Sequence, residues 1–289
     1  MTQPSLSFEI FPPNTQVGEE KLLTTLNELE GLAPDYISVT CSNNKRNIEA
    51  TTLKVAGHVK SLGIPTIAHL PACYLTKEQV NEIIQQLDSL GIYRVLALRG
   101  DIDPLIPPTE DFTYASDLIA YIKEIAPHFE ITGACYPEVH PESVNHVADV
   151  LHLREKVNQG CEHLITQLFF DNDIFYRFQE SCQLAGIDVP ITPGIMPIIN
   201  RKQALRIINT ASASLPKKFL AILDKYEHNP IALRDAGLAY AVDQIVDLVT
   251  QDAPGVHLYT MNQSATARQI YQATASLFEK PIPLLVEEG

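Results

Sequence analysis

The most constraining feature of the sequence is a regular alternation of short apolar, β-branched runs with longer segments of helical period. The apolar runs predict strands at residues 7–11, 36–40, 64–70, 94–98, 131–136, 163–168, 190–196 and 256–260. Helical patterns separate each strand from the next; Leu22, Leu26 and Leu29, for example, share one helix face. Strands that alternate with helices imply βαβ crossovers and parallel pairing.

Eight such units in 289 residues predict an α/β fold of the (β/α)8 TIM barrel type, with residues 1–289 forming a single catalytic domain. A doubly wound open sheet is the alternative. It is disfavoured because no G-x-G-x-x-G follows the first strand and no G-x-x-x-x-G-K-[ST] occurs. The predicted strand ends lie 27 to 37 residues apart, except for a last interval of 66. Residues 215–248 are therefore expected to add one or two helices before the last strand.

Charge excludes several function classes. Lys and Arg number 21 and Asp and Glu number 35, a net charge of −14, so neither a nucleic acid nor a membrane surface is an expected partner. The five cysteines are widely spaced and form no C-x-x-C pair, which favours a reduced, cytoplasmic compartment. No signal peptide pattern and no apolar run of ~18 residues is present. The spacing of the histidines fits no metal site, so no metal is expected.

Barrel enzymes carry their chemistry where the strands end, and those positions are polar in this sequence. Glu9 lies in an apolar strand, and burial without a partner would raise its pKa, as a general acid requires. Arg99, Gly100 and Asp101 follow a strand and offer a guanidinium fork, a permissive backbone and a carboxylate. Gln167 can read the donor and acceptor edge of a ring. The alternatives are a solvated Glu, a turn with a local ion pair and a Gln bound to a neighbouring loop.

The loop at residues 136–141 combines an aromatic ring, a carboxylate and an imidazole between two prolines that stiffen it. Such a loop suits ligand contacts, although a solvated turn has the same composition. The four phenylalanines at 169, 170, 175 and 178 are expected to pack in the core, with one of them able to face a planar ligand. The residues alone thus indicate a soluble barrel, and they favour an enzyme that acts on a planar polar ligand.

Nine collinear segments carry a resemblance to a known family. They read SFEIFPP (7–13), SVT (38–40), AHL (68–70), ALRGD (97–101), YASDL (114–118), YPEVHP (136–141), ITQLFFD (165–171), PGIMP (193–197) and HLYTMN (257–262). In this order they resemble the methylenetetrahydrofolate reductase family, and they cover almost the whole chain. The resemblance implies non-covalent FAD, which takes hydride from NADH or NADPH and delivers it to 5,10-methylenetetrahydrofolate. The product, 5-methyltetrahydrofolate, serves one-carbon metabolism and methionine synthesis, and bacterial relatives suggest a homo-oligomer.

The resemblance also implies roles for individual residues. Glu9 and Asp101 match catalytic positions: Glu9 would supply the proton that opens the folate ring. Substrate contacts are implied for Glu9, Asp101, Gln167, Phe175 and Gln263. The positions implied to contact FAD are Thr40, His69, Arg99, Gly100, Asp101, Tyr114, Ala115, Tyr136, His140, Asp149, His152 and Lys156.

The chain also departs from the family pattern. His152 stands where Asn is expected, Glu155 where a basic residue is expected, Gln263 where Arg often sits, and Ile207 where some relatives carry an aromatic. These departures concern ligand affinity and nucleotide choice more than the type of reaction. Arg99, Arg154 and Lys156 are expected to supply local positive charge for a pyrophosphate. Two alternatives stay open: a proline dehydrogenase-like flavin barrel, and a flavin-binding barrel without folate activity.

Overall fold

The structure is a computed structural model that describes residues 3–41, 48–102, 107–210 and 213–278. Its strands are β1 (Ser5–Ile10), β2 (Tyr36–Val39), β3 (Thr66–Pro71), β4 (Arg94–Leu98), β5 (Glu130–Cys135), β6 (His163–Thr166), β7 (Ile191–Thr192), β8 (Gly194–Ile195) and β9 (Gly255–Tyr259). Each predicted strand is confirmed, and the fourth has the predicted bounds.

All strand pairs are parallel, in the order β7-β6-β5-β4-β3-β2-β1-β9-β8. The predicted seventh strand is observed as two short strands, because Pro193 lacks the N–H that a continuous ladder needs. β7 pairs with β6 and β8 pairs with β9, so the two pieces bring the ends of the sheet together. The sheet is a nearly closed TIM-like barrel, and the open-sheet alternative is wrong.

The helices surround this barrel. They are α1 (Gln16–Glu30), α2 (Lys54–Ser61), α3 (Lys77–Ser89), α4 (Ala115–Ile125), α5 (His146–Asn158), α6 (Asn172–Leu184), α7 (Arg201–Thr210), α8 (Lys217–Lys225), α9 (Pro230–Thr250) and α10 (Ser264–Phe278), with a π-helical segment at Glu49–Leu53 and a 3-10 turn at Ala72–Tyr74. Thr76 and Gln79 form a reciprocal capping box at the start of α3.

The long interval before the last strand contains α7, α8 and α9. α9 packs against β9, α6 and α10, so it takes the place of a barrel helix. α7 and α8 are the additional helices; α8 lies within residues 215–248, as expected, whereas α7 precedes that segment. They enclose a second apolar cluster, separate from the main core, that includes Phe170, Ile207 and Phe219.

Alternation along the strands divides their side chains between two environments. Outward residues such as Phe8 and Ile10 pack under the helices in the main apolar core. Inside the barrel, Tyr36, Ile67, Leu96 and Ile165 form a small apolar cluster. Ser7, Ser38, His69 and His257 are also buried. The barrel interior thus contains polar groups as well as this apolar cluster. The barrel mouth is the end at which the strands finish.

Candidate active site at the barrel mouth

Glu9 is the residue on which the site is built. It lies next to the end of β1, in register with Ser38 of β2 and Tyr259 of β9. Its side chain is 23% exposed, and burial in the barrel raises the pKa of its carboxyl to about 8. The carboxylic acid is therefore protonated at neutral pH. The raised pKa expected from the sequence is confirmed.

Two buried histidines face the Glu9 carboxyl. Nε2 of His69 lies 3.9 Å from Oε2 of Glu9, and Nε2 of His257 lies 4.0 Å from the same oxygen. Burial lowers the pKa of each ring to about 3. Both rings are neutral at physiological pH, so these contacts are not ion pairs. They are polar neighbours of a neutral acid.

His257 was not predicted as a site residue. Its ring is fixed on both sides: Ser7 Oγ lies 2.7 Å from Nδ1 and Ser38 Oγ lies 3.0 Å from Nε2. The ring also stacks on Tyr36, with centroids 5.7 Å apart. Since His257 pairs in register with Ser7, the period-two alternation of the first and last strands was the signal that could have identified it.

Arg99, Gly100 and Asp101 follow β4 at the mouth. Arg99 donates from Nη2 to Oε1 of Glu142 over 2.7 Å, and its Nη1 pairs with the other carboxylate oxygen. This hydrogen bond raises the pKa of Arg99. Asp101 is exposed, and its charge adds to burial in raising the pKa of Tyr136. The structure thus brings Asp101 near Tyr136. It also shows that Glu142 is the partner of Arg99, which the sequence did not reveal.

The loop after β5 is held by its own histidine. The backbone N–H of His140 donates to Asp149 over 3.0 Å, while its Nδ1 accepts the backbone N–H of Glu142 over 3.1 Å. The ring packs edge-on against Tyr136, with centroids 4.6 Å apart. Tyr136, His140 and Asp149 therefore form one connected group, and this group places Glu142 against Arg99.

The other predicted FAD positions lie on different elements. Thr40 is half-buried after β2, Ala115 is buried at the start of α4, and Tyr114 before it is 61% exposed. On α5, Asp149, His152 and Lys156 follow one another at helical spacing, so they share one face. His152 on this face is exposed.

The three cations expected to supply positive charge for a pyrophosphate have different environments. Lys156 donates to the carbonyl of Ala134, and burial lowers the pKa of its amine. Arg99 is paired with Glu142, and Arg154 is exposed on α5. A carboxylate and a backbone carbonyl, neither recognised in the sequence, thus accept from two of the three cations, and the role of all three in binding a pyrophosphate stays a prediction.

The predicted folate contacts have different environments. Gln167 is half-buried after β6, and its Oε1 accepts the N–H of Leu168 over 2.9 Å. Gln263 is exposed before α10. Phe175 is fully buried and stacks on Phe169 with centroids 5.3 Å apart, so its ring packs in the main core. The four phenylalanines 169, 170, 175 and 178 all pack in the interior, as expected.

His69 has one of the four buried side-chain atoms that lack a hydrogen-bond partner in the described part of the chain. Nε2 of His69 is buried and makes no hydrogen bond in the described part of the chain. Such a group costs free energy unless a ligand or water pairs with it. Since His69 is one of the positions implied for FAD, a polar cofactor fits this site. The described residues form no group of three or more His, Cys, Asp or Glu that could hold a metal.

Comparison with known proteins assigns the family. The family model described as Methylenetetrahydrofolate reductase matches residues 1–275. The 5,10-methylenetetrahydrofolate reductase of Buchnera aphidicola (subsp. Baizongia pistaciae) is 36% identical over 90% of this chain and 88% of its own. The enzyme of the same name from Escherichia coli K12 is 35% identical over 91% of this chain and 88% of its own.

A solved structure shows the same fold. An uncharacterized protein from Clostridium thermocellum, described as binding two copies of 5-methyl-5,6,7,8-tetrahydrofolic acid, superposes with a TM-score of 0.68. It covers 96% of each chain at 15% sequence identity, so this likeness concerns the fold. Taken together, the family model and the curated relatives show that the chain belongs to the methylenetetrahydrofolate reductase family, oxidoreductases of folate one-carbon metabolism.

Proposed function

We propose that this chain reduces 5,10-methylenetetrahydrofolate to 5-methyltetrahydrofolate with Glu9 as the proton donor. The reaction consumes one hydride, from NADH or NADPH, and one proton. The proton opens the folate ring to an iminium, and the hydride then reduces that iminium. The observation that carries the proposal is a carboxyl at the barrel mouth whose pKa is raised to about 8, which leaves it protonated at neutral pH.

The surroundings of Glu9 support this role. His69 and His257 are neutral neighbours, so no buried cation draws the proton off the carboxyl. The side chain is still 23% exposed, which gives its oxygens access to a substrate at the mouth. After each transfer the carboxylate must take a proton from water, and its raised pKa favours that step.

We propose that FAD binds non-covalently at the mouth. When bound, FAD supplies the chemistry of accepting hydride from the nicotinamide and passing it to the folate. His69 would pair its orphan Nε2 with a polar cofactor atom, and the group of Tyr136, His140 and Asp149 would line the site. The remaining proposed contacts are Thr40, Arg99, Gly100, Asp101, Tyr114, Ala115, His152 and Lys156.

For the folate we propose contacts from Asp101, Gln167 and Gln263. Asp101 is exposed beside Tyr136 and can accept hydrogen bonds from the pterin amines. Gln167 would present its amide to the pterin edge, and Gln263 would lie near the glutamyl tail. The Clostridium thermocellum protein of similar fold is described as binding 5-methyl-5,6,7,8-tetrahydrofolic acid, which supports a folate as the ligand of this chain. Phe175 is left out because its ring is buried in the core.

Two further proposals concern the whole protein. Residues 1–289 are proposed to form a single catalytic domain, and the chain to assemble as a homo-oligomer. In the described ranges, no helix is long and apolar enough to cross a membrane. The cytoplasmic location expected from the sequence stays a prediction.

The experiment that tests the function is an anaerobic cycle of the purified protein. The protein is expected to be yellow, to lose its colour on addition of NADH or NADPH, and to regain it with methylenetetrahydrofolate. Loss of colour with proline instead would favour a proline dehydrogenase-like barrel. Bound FAD that is reduced but never reoxidised by folate would contradict reductase activity. Protein that takes up no added FAD would contradict the flavin mechanism itself.

A further inference from the structure

The side chain of Asn262 extends the pairing between β1 and β9 beyond the last residues of the ladder. The ladder ends where Glu9 pairs with Tyr259. Beyond it, Oδ1 of Asn262 accepts the backbone N–H of Phe11 over 3.0 Å, and Nδ2 donates to the carbonyl of Phe11 over 2.9 Å. The carboxamide thus pairs with both backbone groups of Phe11, as a neighbouring strand would.

Thr260 connects the same loop to Glu9 itself. Its hydroxyl donates to the backbone carbonyl of Glu9 over 2.7 Å and accepts the backbone N–H of Asn262 over 3.1 Å. Thr260 is buried. We call this set of contacts, made by Thr260 and Asn262 on Glu9 and Phe11, the β1–β9 clamp. It fixes the backbone on both sides of the residue that follows Glu9.

The clamp is built on strained backbone. Met261 has φ of 52° and Asn262 has φ of 55°, in the left-handed region that non-glycine residues rarely adopt. Two consecutive residues of this kind persist only where surrounding contacts hold them, and such strain concentrates at functional sites. Here the holding contacts are those of the clamp.

We propose that Asn262 is a positioning residue for Glu9: with Thr260 it fixes the end of β1 so that the Glu9 side chain stays largely buried at its depth in the barrel. The inference rests on the proposed role of Glu9 as proton donor. Asn262 touches the backbone two residues from Glu9 and acts through it.

The consequence is a dependence of the Glu9 proton on the clamp. In the described part of the chain, the titratable groups that face Glu9 are His69 on β3 and His257 and Tyr259 on β9. Burial keeps both histidines neutral and raises the pKa of Tyr259, so burial alone sets the state of Glu9. A looser strand end admits water, and the pKa of Glu9 then falls from about 8 toward its ordinary value.

The test uses two glycine variants, of which only one disrupts the clamp. Asn262→Gly removes the carboxamide and relieves the strain, whereas Met261→Gly relieves the strain and keeps the clamp. Asn229→Ala is the matched control, because Asn229 caps α9 by accepting the N–H of Ala232 and its loss affects stability alone. For each variant, the folate and nicotinamide half-reactions of the holoenzyme are followed anaerobically from pH 6 to 9.5.

In Asn262→Gly, the pH at which the folate half-reaction falls to half its maximal rate should be lower than in wild type by about one unit. The folate half-reaction should therefore be about tenfold slower than wild type at pH 9 and little changed at pH 6. Met261→Gly and Asn229→Ala keep the wild-type midpoint, and the nicotinamide half-reaction is unchanged in all three. An unshifted midpoint in Asn262→Gly, or equal losses in both half-reactions, would overturn the proposal.

A second variant covers a failure of Asn262→Gly to fold. Thr260→Val keeps the shape of Thr260 and removes its bond to the Glu9 carbonyl, and a shift in the same direction is expected. An unchanged midpoint in folded Thr260→Val would then refute the clamp. Glu9→Gln is run alongside: if that variant keeps a normal folate half-reaction, the proposed function fails, independently of the clamp.

Discussion

Oε2 of Glu9 lies 3.9 Å from Nε2 of His69, a buried ring nitrogen with no hydrogen-bond partner in the described part of the chain. The separation is too long for a direct hydrogen bond. Burial raises the pKa of the carboxyl to about 8 and lowers that of the ring to about 3. Between these values the acid holds its proton and the imidazole holds none. The pair therefore presents a proton donor and a neutral ring, and not an ion pair.

The first prediction concerns the pH dependence of the folate half-reaction. Glu9 must be protonated to donate, so the rate should be constant below pH 7 and fall as the pH rises through about 8. The nicotinamide half-reaction needs no proton from Glu9 and should lack this limb. Rapid-mixing measurements of each half-reaction decide the point. A folate half-reaction already declining at pH 5, as for an ordinary carboxyl, would argue against the assignment.

The second prediction concerns stability in acid. His257 is fully buried with its pKa lowered to about 3, whereas in the unfolded chain it titrates near 6.5. A depressed pKa contributes stability that is present above the unfolded value and lost as the pH falls. The loss is at most about 1.4 kcal/mol per pH unit below 6.5. His257→Gln should therefore show a shallower fall in urea-unfolding free energy between pH 7 and 5 than the wild type.

The control for this measurement is His128→Gln. His128 is exposed, so its replacement removes a surface histidine while the buried His257 is kept. If the unfolding free energy falls equally steeply with pH in wild type and His257→Gln, then His257 takes up its proton as readily in the folded protein as in the unfolded chain, which contradicts the prediction.

The third prediction concerns Glu142 and FAD affinity. Glu142 occupies the guanidinium fork of Arg99, one of the positions proposed to contact FAD. Glu142→Gln frees the fork and removes a negative charge, so the apoprotein should bind FAD about two- to fivefold more tightly, the range of an exposed ion pair. The gain should shrink at high salt. Fluorescence titration of FAD measures it, with Glu19→Gln, which breaks the exposed pair with Lys54, as control. Weaker binding by Glu142→Gln would show that Glu142 instead positions Arg99.

The fourth prediction compares two glycines. Gly100 has φ of +87°, and a Cβ there would lie 2.9 Å from Cβ of Pro71 and 3.0 Å from Sγ of Cys73. Gly63 has φ of +81° with nothing within 4 Å of such a Cβ. Gly63→Ala should lower the free energy of unfolding by about 1–2 kcal/mol, because of the left-handed backbone alone. Gly100→Ala should lower it by more, and it should also weaken FAD binding. Thermal melts and FAD titration separate the two. Equal losses would show that the contacts at Gly100 are relaxed elsewhere.

Much of the fold followed from local pattern. The fourth strand has the predicted bounds because four apolar residues, 95–98, lie between Arg94 and Arg99. The capping box at Thr76 depends on two residues three apart, which sequence shows directly. The division of the seventh strand at Pro193 was missed, although a proline inside a predicted strand signals such a break.

The site was predictable only in part, because its decisive contacts join residues far apart in the chain. Glu9 was identified from its own strand, and the structure confirmed its raised pKa. The contact of Arg99 with Glu142 and that of Asn262 with Phe11 span 43 and 251 residues. No local pattern encodes such distances. For Phe175, the resemblance implied a contact with the substrate, and the structure shows its ring packed in the core.

The most direct test of the account is the pair of anaerobic half-reactions of Glu9→Gln. The variant keeps the shape of Glu9 but offers no acidic proton, so reduction by NADH or NADPH should proceed as in wild type. Reoxidation by methylenetetrahydrofolate should slow by about 10²- to 10⁴-fold, the contribution of a general acid. Glu30→Gln, on the exposed end of α1, should change neither rate. Equal slowing of both half-reactions, or folate reoxidation at the wild-type rate, would contradict the role of Glu9 as the proton donor.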